Sequence, residues 1–98
     1  MKPVNVISKR AVRAFAERHP DARKPLMQWY EAARKAHWTH IVEVREEFHA
    51  ADAVPPFTVF NVGGNKYRVV TELVFPKKLV LIRKILTHAE YDRGAWKR

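Results

Sequence analysis

The sequence predicts an α+β domain in which an N-terminal strand and two or three helices pack on an antiparallel sheet completed by a C-terminal three-stranded meander. Two observations carry this reading. Up to Asp52 apolar residues recur every three or four positions, whereas after Pro55-Pro56 β-branched and aromatic residues take over as far as Leu86. With 98 residues, 47% of them hydrophobic and three of them Trp, the chain can bury one modest core, so residues 1–98 are expected to form a single domain.

Each element has its own signal. Pro3 to Ile7 reads as a short strand, and Ser8 as the cap of a helix whose face is Val12, Phe15, Ala16 and His19. Pro20 stops that helix. Asp21 or Lys24 starts the next, where Pro25 is tolerated only in the first turn and Leu26, Trp29, Tyr30, Ala33 and His37 form one stripe. A third helix is expected from Thr39 to about Phe48, with Ile41, Val44, Arg45 and Phe48 on a shared face. The meander is expected as Phe57 to Val62, Lys66 to Phe75 and Leu79 to Leu86, joined by turns at Gly63-Gly64 and Pro76-Lys77. Arg93 to Arg98 reads as a basic, partly frayed tail.

Composition narrows the function. Nineteen Lys and Arg against ten Asp and Glu leave a formal charge of +9, which suits a polyanion. Nucleic acid is the first candidate, because cations displace the counterions condensed on phosphates, and an acidic protein is the second. The absence of Cys removes disulfides, thiolate zinc sites and cysteine nucleophiles. The stretch from Met1 to Ile7 is too short for a signal peptide and no apolar run approaches the roughly 20 residues that span a bilayer. A soluble, cytoplasmic protein without membrane association is expected.

Part of the charge forms a candidate patch in the meander. Alternation places Lys66 and Arg68 on a face with Val70, opposite the more apolar face of Tyr67, Val69, Thr71, Leu73 and Phe75. An even-numbered turn at Pro76-Lys77 puts Val70 opposite Arg83, so that Lys66, Arg68 and Arg83 converge, with Asn61 and Val59 across from Lys66 and Arg68. Lys84 extends the patch. Such a face can hold RNA phosphates through Asn61, Lys66, Arg68, Arg83 and Lys84. The bland alternative is that Lys66 and Arg68 solvate the sheet while Arg83 bonds an acid such as Glu72. Against it stands the interruption of Leu79-Val80-Leu81-Ile82 by Arg83-Lys84, since charge inside a strand must reach water, an anion or a partner.

Thr87-His88-Ala89-Glu90-Tyr91-Asp92 follows the last strand. Histidine is the side chain suited to moving protons near neutral pH, which makes His88 a candidate acid or base, and Tyr91 can stack on a base or hold a phosphate. With Lys66, Arg68 and Arg83 they form a candidate site for cleavage of RNA by its own 2′-hydroxyl. Guanidinium forks would stabilise charge on the phosphoryl oxygens and His88, or Lys66, would act as acid or base. The alternatives are a helix-capping or surface His88 and an ordinary packed Tyr91. His37, His40, Glu43 and Glu47 have ligand-like spacing, but the break near Thr39 splits their face, so no metal or other cofactor is expected. Trp29, Trp38 and Trp96 read as core or interface aromatics.

Phe60-Asn61-Val62-Gly63-Gly64-Asn65-Lys66-Tyr67-Arg68-Val69-Val70, Ile82-Arg83 and Thr87-His88-Ala89-Glu90-Tyr91-Asp92 resemble, in order and spacing, the HigB-like toxins of the RelE superfamily. Val6 to Ala11 and His19 to Ala22 are similar to the same family, so the likeness covers nearly the whole chain. The resemblance implies a RelE-like fold and the toxin of a type II toxin-antitoxin system. It implies an endoribonuclease that cuts translated mRNA in the ribosomal A site without a metal, silenced by a cognate, helix-turn-helix HigA-like antitoxin. It carries the chemistry over to Lys66, Arg68 and Arg83, and to His88 and Tyr91. Some relatives carry Lys where this chain has Ala89, so one cation is missing here. The competing readings are a non-catalytic RNA- or ribosome-binding module using the same face, and a basic protein whose charge serves only an acidic partner.

Overall fold

The helical periodicity of the N-terminal half becomes three helices laid on one face of a five-stranded sheet. The computed structural model describes residues 5–7, 9–94 and 96. The expected strand residues Pro3 and Val4, the Ser8 cap and the end of the tail at Lys97 and Arg98 lie outside the described residues.

Strand β1 (Asn5–Ile7) leads into α1 (Lys9–Arg18), which buries Val12 and Phe15. Pro20 cannot donate a backbone hydrogen bond, so the helix ends and the chain turns through a short 3-10 segment, Pro20–Ala22. The His19 ring stays on Phe15, stacked at 4.4 Å. Helix α2 (Arg23–Lys35) takes Pro25 in its first turn and buries Leu26, Trp29, Tyr30 and Ala33. Helix α3 spans Ile41–Glu47, shorter than the expected Thr39 to Phe48. Thr39 instead stands before it, giving its N–H (2.7 Å) and its hydroxyl to Glu43 Oε1. Val44 is buried but its neighbour Arg45 is exposed, so only part of the expected face points inward.

The sheet continues as β2 (Asp52–Val54), β3 (Phe57–Val62), β4 (Tyr67–Val74) and β5 (Leu79–Thr87), followed by α4 (His88–Arg93). The spatial order is β1-β5-β4-β3-β2, with β2 to β5 antiparallel and β1 joining β5 in parallel. The α+β class and the meander are as expected. Two elements are additions. The Pro55-Pro56 break turns out to be the corner of a hairpin, Val54 pairing with Phe57, and the segment after β5 coils into α4.

Phe60 sits at the centre of the main core with 0% exposure, contacted by Trp29 (5.4 Å), Phe48 (5.2 Å) and Trp38 (6.0 Å between ring centroids). Val62, Tyr67, Val69 and Val80 complete it from the sheet. The other sheet face carries a smaller cluster of Val59, Val70 and Trp96, flanked by Val54, Phe57, Leu86 and Tyr91. Within the expected tail Trp96 is anchored: it is 4% exposed, stacks on Tyr91 at 5.0 Å and gives its indole N–H to the Tyr91 carbonyl.

Register corrects the cationic face. Pairing runs as expected from Val74 opposite Leu79 to Thr71 opposite Ile82, then slips by one residue, so that Lys84 and not Arg83 opposes Val70. Arg83 is the extra residue of a β-bulge, which re-aims a side chain locally. On the other side Asn61 pairs with Arg68 and Val59 with Val70, two residues along from the expected partners and so on the same face.

Candidate nucleic-acid interface

Arg68 is the best-fixed cation of the predicted set. It lies on the face away from the helices, with Val70, and is only 7% exposed. Its guanidinium donates to the Asn65 carbonyl (3.2 Å), the Tyr67 carbonyl (3.1 Å) and Asn65 Oδ1 (2.8 Å). The Tyr91 ring covers it at 5.3 Å, within range of a cation–π contact. All three acceptors are neutral, and among the described residues no carboxylate is ion-paired with it. A charge this far out of water without a counterion is costly unless an anion completes its surroundings.

Tyr91 is held by Arg68 and by the Trp96 ring stacked on it. Burial raises its phenol above the ordinary 10, Asp52 adds to that and Arg68 opposes it, so the hydroxyl remains protonated at neutral pH. Thr87 caps α4 on which Tyr91 rides: its hydroxyl accepts the Glu90 N–H (3.2 Å) and Glu90 Oε1 accepts the Thr87 N–H (2.9 Å). That reciprocal pair holds the Glu90 carboxyl below its ordinary 4.5, chiefly through the Thr87 backbone. His88 opens the helix. Its backbone N–H donates to the Lys66 carbonyl (2.8 Å) and its Nδ1 meets Asp92 Oδ2 at 2.9 Å. A carboxylate only accepts, so Nδ1 carries the hydrogen and Nε2 is left to exchange a proton.

Lys66 does not join Arg68 as expected. It lies in the turn before β4, and its Nζ reaches 3.6 Å from Asp21 Oδ2. The other oxygen of that carboxylate takes the Tyr67 hydroxyl on the helix side of the sheet (2.7 Å). Arg83 is ion-paired with Glu72 at 2.8 Å, the alternative that the sequence left open, and Lys84 is exposed. Lys66, Arg68 and Arg83 thus do not gather around one point. Arg68, Asn61 and Tyr91 do come together, in an open polar cleft of about 360 Å³.

Three residues that the sequence reading did not assign line the same cleft: Arg45, His49 and Asp52. No local pattern marks them. They come from the α3–β2 corner, which is brought to Arg68 only because β2 hydrogen-bonds to β3. Glu43 and Glu47, which have ligand-like spacing in the sequence, are turned to Thr39 and to the Trp38 indole N–H (3.3 Å). Among the described residues no three His, Asp or Glu side chains cluster as metal ligands, and no helix is long and apolar enough to cross a membrane.

Comparison with known proteins matches residues 22–94 to the family described as HigB toxin, a RelE-like toxic component of a toxin-antitoxin system. The chain is similar to the mRNA interferase toxin HigB of Escherichia coli K12, 29% identical over 92 residues that cover 91% of this chain and 88% of that protein. It is similar, at 28% over 93 residues covering 92% and 90%, to the mRNA interferase HigB of Escherichia coli O6:H1. The same identity and coverage as for the K12 protein hold for the mRNA interferase HigB of Shigella flexneri.

Proposed function

Because the chain belongs to the HigB family of RelE-like toxins, the toxic half of a toxin-antitoxin system, we propose that it is a ribosome-dependent endoribonuclease of a type II pair. It cleaves mRNA under translation in the A site without a metal, works in the cytoplasm, and is neutralised by a cognate HigA-like helix-turn-helix antitoxin. The observation that carries the reading is Arg68: a buried guanidinium whose hydrogen-bond acceptors among the described residues are neutral, facing an open polar cleft. Such a group is complementary to a phosphate, above all to one gaining charge.

The chemistry needs few parts. The ribose 2′-hydroxyl loses its proton and attacks the adjacent phosphorus. The bond to the 5′-oxygen then breaks, and that oxygen leaves with a proton. Arg68 receives the charge that builds on the phosphoryl oxygens. Tyr91, protonated and with its ring 5.3 Å from the Arg68 guanidinium, offers a hydroxyl to the phosphate or a ring to the base, and Asn61 offers an amide. His88, with Nε2 available, moves a proton at the edge of the cleft. Lys66, Arg83 and Lys84 contact the RNA on either side; Lys66 and Arg83 exchange Asp21 and Glu72 for phosphates as it binds.

Mapping mRNA 5′ ends on translating ribosomes after brief induction tests this. Sharp in-frame cuts that vanish in Arg68→Ala and His88→Ala are expected. Growth arrest that survives both changes while RNA binding persists would leave a non-catalytic ribosome-binding module as the answer.

A further inference from the structure

Cleavage by a 2′-hydroxyl is in-line: the attacking and leaving oxygens lie on opposite sides of phosphorus. The group that takes the first proton and the group that gives the second must therefore approach from opposite sides. His88 supplies one side only. It begins α4, which leaves the sheet from β5, and it does not line the cleft. Arg68 is on β4, Asn61 beside it on β3, and the α3–β2 corner closes the far side. At roughly 4.8 Å per strand, β5 and β2 are about 14 Å apart, so the two elements flank Arg68 and Asn61 from opposite sides.

We propose that the α3–β2 corner is the second wall of the reactive cleft, with His49 as the base that takes the 2′-hydroxyl proton and Arg45 as a phosphate-binding cation. The inference rests on the ribonuclease reading and adds residues to its site. The local geometry suits both roles. His49 Nε2 lies 3.0 Å from the Glu46 carbonyl, which can only accept, so Nε2 holds the hydrogen and Nδ1 presents a lone pair. Among the described residues no carboxylate is ion-paired with Arg45, in contrast to Arg83 with Glu72 and Lys66 with Asp21. The charged and titratable groups that share the cleft with His49 are Arg45 on its own side, Asp52 at the start of β2, Arg68 on β4 and Tyr91 on α4.

The proton and electron balance is simple. His49 Nδ1 gains the 2′-hydroxyl proton as the 2′-oxygen forms a bond to phosphorus. The phosphorus–5′-oxygen bond breaks, and the 5′-oxygen takes a proton from protonated His88 Nε2. The products are a 2′,3′-cyclic phosphate and a 5′-hydroxyl, and the two imidazoles regain their protonation states from solvent.

A programmed ribosome carrying mRNA with a sulfur in place of the 5′-oxygen at the cleaved linkage separates the roles, since a thiolate leaves without a proton. His49→Ala is expected to slow single-turnover cleavage by about 10²- to 10⁴-fold, with ribosome binding little changed and no rescue by sulfur. His88→Ala is expected to be rescued. His49→Gln, whose amide keeps a donor for the Glu46 carbonyl but has no basic nitrogen, is expected to be as slow as His49→Ala. Arg45→Gln is expected to lower the salt dependence of RNA binding by about one counterion. Unchanged cleavage in the His49 variants, or rescue of them by sulfur, overturns the inference while the nuclease reading stands. Failure of the wild type to cut any mRNA on translating ribosomes overturns both.

Discussion

Tyr67 donates a 2.7 Å hydrogen bond to Asp21 across 46 residues of chain. This ties the turn between α1 and α2 to the end of the sheet from which Arg68 projects, and it places the Asp21 carboxylate where Lys66 pairs with it. The Tyr67 bond, and secondarily the Lys66 charge, hold the Asp21 carboxyl below its ordinary 3.8, while the same bond raises the Tyr67 phenol above 10.

The signs of these shifts predict a pH dependence. A carboxyl depressed in the folded state contributes stability above its unfolded value of 3.8, and loses it as pH falls through the lower folded value. Asp21→Asn is therefore expected to lower the melting temperature at neutral pH and to flatten its fall between about pH 4 and pH 2. The phenol works in the opposite direction: its contribution is present below 10 and is lost as pH rises through the raised value. Thermal unfolding of wild type and variant over both ranges checks this, and parallel curves would refute it.

The α4 cap is expected to matter more to activity than to stability. Thr87→Ala removes the acceptor of the Glu90 N–H, which costs about 1 kcal/mol, or roughly 4–8 °C in melting temperature for a domain of this size. Because His88 and Tyr91 ride on that one short helix, RNA cleavage is expected to fall further than the folded fraction does. Calorimetry alongside a single-turnover assay measures both, and equal losses would place no functional weight on the cap.

Arg83 and Glu72 are half exposed, and a pair of that kind contributes about 0–1 kcal/mol. Glu72→Gln is expected to leave stability nearly unchanged, to tighten RNA binding and to steepen its salt dependence by about one counterion. Arg83→Gln is expected to do the reverse to binding. Salt titrations of RNA affinity decide it; a Glu72→Gln protein that binds like wild type would show that Arg83 does not meet RNA.

The two turn glycines are expected to differ. Both have φ of +67°, so alanine at either costs about 1–2 kcal/mol of backbone strain. A Cβ on Gly64 meets nothing, whereas one on Gly63 falls 3.3 Å from the Tyr67 ring. Gly63→Ala is predicted to be the more destabilising in denaturant unfolding and to disturb the Tyr67–Asp21 bond; equal effects would refute the contact.

The linear sequence determined the element types of the long segments, because each is set by side-chain periodicity and by Pro and Gly at their ends. Of the expected stripe, Leu26, Trp29, Tyr30 and Ala33 are buried as their spacing dictated, while His37 lies beyond the end of α2 and is exposed; β3 spans the expected residues. Thr87-x-x-Glu90 is a capping-box pattern and a local signal of α4, but a six-residue span carries too little periodicity to distinguish a helix from the exit of a strand. Only the tertiary structure decided which cations share a surface. One bulge residue separates Arg83 from its expected place opposite Val70, and a hairpin turn two residues longer than expected leaves Lys66 outside the ladder, beside Asp21. A strand's facing reverses with each single-residue shift, so local pattern cannot resolve it. The approach of Arg45, His49 and Asp52 to Arg68 depends on the pairing of β2 with β3, a long-range contact with no periodic trace in the chain.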